Sequence, residues 1–70
     1  MTPLKTYRLT AVYRKTGFSI YGAYIAEMPD YDAYGHTLNE AKEKLILRLN
    51  DWRKETGNEY ILVDEVKLKV

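Results

Sequence analysis

The spacing of apolar residues predicts a β-strand near each end of the chain. From Leu4 to Lys15 the apolar residues alternate with polar and charged ones, and the same alternation returns from Glu59 to Val70. A period of two is typical of a strand with one face buried and the other in water. The sequence therefore predicts a first strand and a last strand of this kind.

Between these strands, the pattern predicts two further strands. Lys15-Thr16-Gly17 provides a glycine-containing turn, and strand composition resumes from Phe18 to Met28, which together indicate a β-hairpin. Pro29-Asp30 is predicted to end that strand, and a short third strand follows from Tyr31 to Tyr34. Both faces of the second strand are largely apolar, so we expect it to be covered on two sides.

A helix is predicted to begin at Leu38. Thr37 precedes Glu40 by three residues, the spacing at which a threonine caps the helix and a glutamate reaches back to the cap. At 100° per residue, one narrow stripe gathers the apolar side chains that should face the core, namely Leu38, Ala41, Leu45, Leu49 and Trp52. Gly57-Asn58 offers a left-handed stop. Leu47 lies on the far side, where a solvated helix would carry a polar residue.

These elements predict an α+β fold, a single domain spanning residues 1–70. Its small β-sheet would have three to four strands with one helix packed on one face, in the order β-β-β-α-β. A helix that connects the third and fourth strands, if these run parallel in one sheet, crosses on one side of that sheet. The opposite face is then left for self-association or a protein partner.

Composition narrows the range of partners. Eleven basic and ten acidic residues give a net charge of +1, so nucleic acid is not the leading partner. Cysteine is absent and no apolar run is long enough to cross a membrane, so we expect a cytoplasmic protein. Seven tyrosines in seventy residues exceed what a small core can bury and indicate contact surfaces. The residues predicted to form a protein interface are Tyr21, Ala23, Ile25, Tyr31, Tyr34, Ile46 and Leu47.

The candidate chemistry is sparse. His36 is the only side chain suited to acid–base work near neutral pH, but no nucleophile or orienting carboxylate accompanies it, so we expect an exposed residue before a helix cap. A metal-dependent nuclease would need clustered carboxylates, and the acids available lie at a turn, a short strand and a possible bulge: Asp30, Asp32, Asp64 and Glu65. We expect Asp64 and Glu65 to bend or twist the last strand instead, which keeps that edge from pairing freely. No catalytic residue, metal ligand or cofactor site is predicted. The basic residues Lys5, Arg8, Arg14 and Lys15 could form a local patch, but four charges near a hairpin are usually a solvated face, which is the interpretation we favour.

Two short motifs carry a resemblance to a known family. Ala26-Glu27-Met28-Pro29-Asp30 and Gly35-His36-Thr37-Leu38-Asn39-Glu40-Ala41, in this order, resemble the HicB-like antitoxin domain. The resemblance implies a partial ribonuclease-H-like fold and a non-enzymatic protein-binding module that neutralises a small ribonuclease toxin, similar to HicA, by steric occlusion. We expect a homodimer or higher homo-oligomer and, because no DNA-binding segment follows, no direct DNA binding. The alternative is a stand-alone HicB-like homo-oligomer with a structural or regulatory role.

Overall fold

The fold is α+β, as the sequence predicts. A computed structural model describes residues 5–66, and the order of elements is β-β-β-α-β. The elements are β1 (Thr6–Gly17), β2 (Ile20–Ile25), β3 (Met28–Gly35), α1 (Leu38–Thr56) and β4 (Glu59–Val66). Within this described part of the chain no helix is long and apolar enough to span a membrane. The residues beyond Val66 that were predicted to extend the last strand lie outside it.

The four strands form one mixed sheet in the order β3-β2-β1-β4. β1 pairs antiparallel with β2, β2 pairs antiparallel with β3, and β4 pairs parallel with β1. The third and fourth strands are therefore at opposite edges of the sheet, and α1 connects them across one face. The helix packs mainly over β2 and β3. One face of the sheet is covered by the helix, and the other has no covering element within residues 5–66.

The predicted strand boundaries in the hairpins are wrong. β1 continues through Gly17, and the turn lies at residues 18–19, where Ser19 adopts a positive φ of 58°. Pro29 does not end a strand but lies in β3, in a three-residue irregularity between Met28 and Asp32. An edge strand can accommodate a proline at such an irregularity because its missing N–H is not needed there.

Glu27 fixes the turn between β2 and β3. Its carboxylate accepts hydrogen bonds from the Thr10 backbone N–H at 2.7 Å and from the Thr10 hydroxyl at 3.0 Å. The Ala26 N–H donates to the Thr10 carbonyl oxygen at 2.9 Å. The bond from the Thr10 N–H is the main cause of a lowered pKa of Glu27. A carboxylate thus completes the β1 ladder where β2 turns away from it.

The helix begins and ends where the sequence predicts. The Thr37 hydroxyl accepts a hydrogen bond from the Glu40 N–H at 3.0 Å, and the Glu40 carboxylate lies 3.2 Å from Lys44 Nζ. Gly57 adopts a left-handed φ of 75° and its N–H donates to the Arg53 carbonyl oxygen. The predicted stripe is confirmed, because Ala41, Leu45, Leu49 and Trp52 are buried and Leu38 is half-buried.

The core lies between α1 and the helix-facing side of the sheet. On that side, β1, β2 and β3 each carry a buried alanine. These small side chains let the helix approach the strands closely. Trp52 closes one end, with edge-to-face contacts to Tyr7 at 5.5 Å and to Tyr60 at 6.3 Å between ring centroids. The buried strand residues of the core are Leu9, Ala11, Tyr13, Ala23, Ile25 and Ala33.

Gly35 is required for close packing rather than for a bend. Its φ is not in the left-handed region, but a Cβ atom built on it would lie 2.8 Å from the Ala41 backbone nitrogen and 2.8 Å from Glu40 Cβ. Such distances are well inside van der Waals contact. The end of β3 therefore touches the first turn of α1, and only glycine fits between them.

Candidate functional site

The candidate site is the sheet face opposite the helix, here called the open face. Side chains alternate along each strand, so the neighbours of the core residues point to this side. The strand register places these residues in rows across the sheet: Tyr34, Gly22 and Arg14; then Asp32, Tyr24, Val12 and Glu65; then Thr10 and Val63; then Arg8 and Ile61.

The open face combines a closed centre with exposed apolar corners. Val12 is only 4% exposed although no element covers it among residues 5–66, and its neighbours across the sheet are Tyr24 and Glu65. Tyr34 on one edge strand is 49% exposed, and Ile61 on the other edge strand is 59% exposed. Large apolar side chains in such positions are typical of surfaces that meet another molecule.

A shallow concavity of about 200 Å³ lies on the β2–β3 half of the open face. The Tyr34 ring leans over Gly22, with its Cε2 atom 3.1 Å from the position that a Cβ there would occupy. Arg14 lies over the Tyr24 ring at 5.6 Å, a cation–π contact. Asp32 lies at the opposite rim of the concavity, where its Oδ1 atom is 3.5 Å from Nη1 of Arg48 on the helix.

Arg48 also covers the outer edge of β3. Its guanidinium donates to the carbonyl oxygens of Asp32 at 3.1 Å and Asp30 at 3.5 Å, and it lies 5.4 Å from the Tyr31 ring centroid. A sheet edge whose carbonyls already accept hydrogen bonds is a poorer template for another strand. The β3 edge is therefore a less suitable docking site than the open face.

Three side chains join β1, α1 and β4 at the opposite edge. Asp64 accepts a hydrogen bond from the Tyr13 hydroxyl at 2.8 Å and one from Lys42 Nζ at 2.6 Å. The Lys42 contact is the main cause of a lowered pKa of Asp64, while burial is the main cause of a raised pKa of Tyr13. Both carboxylate oxygens of Asp64 are engaged in structural contacts.

The last strand has no bulge at Asp64 and Glu65, contrary to the bulge considered there. β4 pairs with β1 in continuous register from Glu59 to Val66. Asp64 faces the helix side, where Lys42 and Tyr13 neutralise and bind it, and a bulge is unnecessary. No group of three or more His, Cys, Asp or Glu side chains in residues 5–66 is arranged to hold a metal ion.

His36 is exposed and connects two local elements. Its Nδ1 atom lies 3.2 Å from the Ser19 carbonyl oxygen. Since a carbonyl oxygen only accepts, Nδ1 carries the proton in this contact. The histidine thus links the β1–β2 turn to the residue before the helix cap, a position consistent with the structural role predicted for it.

The four basic residues considered as a patch, in and just before β1, do not lie together. Lys5 lies 4.9 Å above the Tyr7 ring, and Lys15 lies 5.9 Å above the Tyr21 ring. Tyr7 packs against the core on the helix side, whereas Arg14 and its tyrosine are on the open face. The positive charges are therefore distributed over both sides of the sheet, and three of the four lie against an aromatic ring, namely Lys5, Arg14 and Lys15.

The seven predicted interface residues lie on different surfaces. Tyr34 is on the open face, Leu47 is 64% exposed on the helix, and three are half-buried, namely Tyr21, Tyr31 and Ile46. The interface prediction is wrong for Ala23 and Ile25, because both are buried under the helix and cannot contact a partner in the folded chain. The sequence shows that both faces of β2 are apolar but not which of them the helix covers.

Sequence reasoning missed Ile61, Val63 and Tyr24 as members of the open face. A signal was present for two of them. In the last strand, Ile61 and Val63 are apolar at alternate positions, between the residues predicted to face the core. A strand with apolar residues on both faces indicates a second contact surface.

Comparison of the chain with protein-family models, with curated proteins and with solved structures found no match. The function is therefore argued from the surfaces described above.

Proposed function

We propose that the chain is a HicB-like, non-enzymatic protein-binding module that acts as an antitoxin. It would bind a small ribonuclease toxin and block access of RNA to the toxin's active surface. The observation that carries this proposal is the presence of exposed large apolar side chains on two opposite sides of a very small domain. Tyr34 and Ile61 lie on the open face, and Leu47 lies on the helix.

The helix side is the surface proposed for the toxin. Leu47 occupies the middle of the outward side of α1, and the half-buried Ile46 is next to it. The core does not need Leu47, because four buried residues on the opposite stripe already pack against the sheet. An exposed leucine with an apolar neighbour provides a small anchor that a partner can desolvate.

The proposed setting is the cytoplasm, where a ribonuclease toxin would meet its messenger-RNA substrate. Direct DNA binding is not part of the proposal. The described residues carry nine basic and ten acidic side chains, a balance that gives little attraction to a phosphate backbone.

The test is co-expression with the product of a small reading frame adjacent to the gene. We expect the wild-type chain to relieve growth arrest and to co-purify with that product. Leu47→Glu should abolish both effects, whereas Lys54→Gln, which changes the charge of the helix by the same amount at an exposed position, should retain them. If the wild-type chain neither rescues growth nor binds the product, the antitoxin proposal fails.

A stand-alone homo-oligomer without a toxin is the second candidate function. The open face favours it, since this face is the largest surface of the sheet left without a covering element in residues 5–66. A gene neighbourhood with no small basic toxin-like frame, together with self-association of the purified chain, would favour this candidate over the first. A metal-dependent nuclease is the third candidate. If the chain had divalent-metal-dependent nuclease activity and Asp64→Asn retained it, that activity would not depend on Asp64.

A further inference from the structure

The two edges of the sheet differ in how well they are protected against pairing with another strand. On β3, Arg48 donates to the carbonyl oxygens of Asp30 and Asp32, and Pro29 lies in an irregularity of the same strand. Features of this kind keep an edge from accepting a further strand. The eight residues of β4 include no proline, glycine or lysine, and no bulge interrupts their register with β1. The edge at β4 is therefore the unprotected one.

The backbone of β4 presents hydrogen-bonding groups to this edge at every second residue. The Glu59 N–H donates to the Lys5 carbonyl oxygen at 2.8 Å, so Glu59 faces β1. Along a strand the N–H and C=O of one residue point to one side and those of the next residue to the other. Tyr60, Leu62 and Asp64 therefore face outward, and no strand lies beyond them in residues 5–66. The Tyr60 N–H is covered by the Glu59 carboxylate at 3.1 Å, so the free N–H groups begin at Leu62.

Exposed apolar side chains lie on both sides of β4. Ile61 is on the open face and is 59% exposed, whereas Val66 is on the helix side and is 57% exposed. A partner that covered one face of the sheet would bury only one of them. A strand laid along the edge directs its own side chains alternately to both sides, so it contacts both residues.

A second copy of β4 is a poor occupant of this edge. Two-fold antiparallel pairing centred on Leu62 would put Glu59 of each copy opposite Glu65 of the other. Pairing centred on Val63 would put Asp64 opposite Leu62. Like charges directly opposite each other destabilise a sheet, and a carboxylate opposite leucine gains no cation. Since the described strand has three carboxylates and no basic side chain, a segment that carries lysine or arginine fits it better.

We propose that the free edge of β4 binds an extended segment of a different protein, which adds a fifth strand to the sheet. The centre of this segment is apolar and meets Ile61, Leu62 and Val63. A lysine or arginine toward each end of the segment meets the acidic residues at the two ends of β4. Backbone hydrogen bonds to Leu62 and Asp64 fix the register of the segment.

Charge selects the partner more than it strengthens the contact. Arg53 and Lys42 of the helix already pair with Glu59 and Asp64, at 3.3 Å and 2.6 Å. The backbone bonds and apolar contacts therefore supply most of the attraction, while the carboxylates discriminate against an acidic segment. A short segment buries much less area than a standard protein interface, so we expect a dissociation constant of about 0.1–1 mM for an isolated peptide.

The test is amide hydrogen exchange along β4, measured by NMR with and without the blocked peptide Lys-Thr-Val-Val-Val-Thr-Lys. The order of its side chains is the same in both directions, so it fits an antiparallel or a parallel strand. In the free chain, the N–H groups of Ile61 and Val63 should exchange slowly because they bond to β1, whereas those of Leu62 and Asp64 should exchange fast. Peptide at about 2 mM should slow exchange at Leu62 and Asp64 by about threefold to twentyfold.

Variants of the chain and of the peptide test the edge itself. Ile61→Lys should weaken binding roughly tenfold, because a lysine on an edge strand opposes strand addition. Phe18→Lys makes the same change of charge at a 93% exposed residue in the β1–β2 turn, and it should bind like the wild-type chain. Peptides N-methylated at the central valine or at the valine before it should differ roughly tenfold in affinity, because only one of these two N–H groups faces β4. Replacing both lysines with glutamate should weaken binding, and circular dichroism confirms that each variant is folded.

The proposal is overturned if peptide leaves exchange at Leu62 and Asp64 unchanged, if both N-methylated peptides bind equally, or if Ile61→Lys binds like the wild-type chain. Equal binding of the glutamate peptide would overturn the basic character of the partner. Slow exchange at these two residues that depends on the concentration of the chain alone would assign the edge to a second copy. This inference goes beyond the proposed antitoxin function, and because no toxin is present in the measurement, either can fail while the other holds.

Discussion

Replacing Gly35 with alanine tests the closest contact between the sheet and the helix. The new Cβ atom would lie 2.8 Å from the Ala41 backbone nitrogen and 2.8 Å from both Glu40 Cβ and Cγ. The backbone nitrogen belongs to the first turn of α1, so it cannot rotate away as the end of a flexible side chain would. The contact can be relieved only if the end of β3 and the start of the helix separate.

The cost follows from the size of that overlap. Carbon atoms prefer separations of about 3.5–4.0 Å, so the first turn has to move by more than about 0.5 Å. Overpacking of this kind destabilises a protein by about 1–3 kcal/mol, and we expect about 2 kcal/mol because Gly35 is buried. For a domain of this size, 1 kcal/mol changes Tm by about 4–8 °C. The Tm of Gly35→Ala should therefore fall by roughly 8–16 °C.

Thermal and urea unfolding followed by circular dichroism measure this loss. Gly17→Ala is the matched control, since a Cβ there would have Ile20 Cδ1 as its nearest neighbour at 3.9 Å, an ordinary contact. The control should remain within about 0.5 kcal/mol of the wild-type chain. If Gly35→Ala unfolds at the same temperature as Gly17→Ala, the close approach of β3 to α1 is refuted.

Three further predictions concern the cap, the acidic side of the pH profile and the helix surface. Thr37→Ala should lower the free energy of unfolding by about 1 kcal/mol and speed amide exchange at Glu40, because the N–H loses its acceptor; unchanged exchange would contradict the cap. Because the pKa of Asp64 is lowered in the folded chain, its contacts stabilise the fold above about pH 4, and this stabilisation is lost as pH falls through the native pKa. Asp64→Asn removes the titrating group, so its Tm should fall less steeply in acid than that of the wild-type chain. An equally steep fall in Tm would contradict this. Leu47→Glu should leave Tm within a few degrees of the wild-type value and abolish toxin capture. If the variant has the same mass by light scattering and still co-purifies with the toxin, Leu47 is an ordinary exposed leucine.

The helix is the element that the sequence predicts best. Its start, its left-handed stop and its buried stripe all follow from local signals, because a threonine cap, a glycine with positive φ and a 3.6-residue period do not depend on distant parts of the chain. The order of elements follows in the same way. The α+β class could therefore be predicted without knowing which strands are neighbours.

The hairpins were predicted less well because their turns depend on contacts between strands. Gly17 looks like a turn residue, yet β1 continues through it and the turn is made at Ser19, which is not a preferred residue for positive φ. The β2–β3 turn is held by Glu27 against Thr10, seventeen residues earlier in the chain. A hydrogen bond over that separation leaves no local signal that could identify the turn.

The open face shows why part of the candidate site could not be predicted. Arg8, Arg14, Asp32 and Glu65 come from three strands, and they lie on one face only in the register that pairs Val12 with both Tyr24 and Glu65. Slipping one strand by a single residue would send its charges to the helix side. The same register puts Ala23 and Ile25 under the helix, so it decides both which predicted interface residues are buried and which charges remain together on a surface. The open face is thus a product of strand pairing, and its members could not be assigned from any one strand alone.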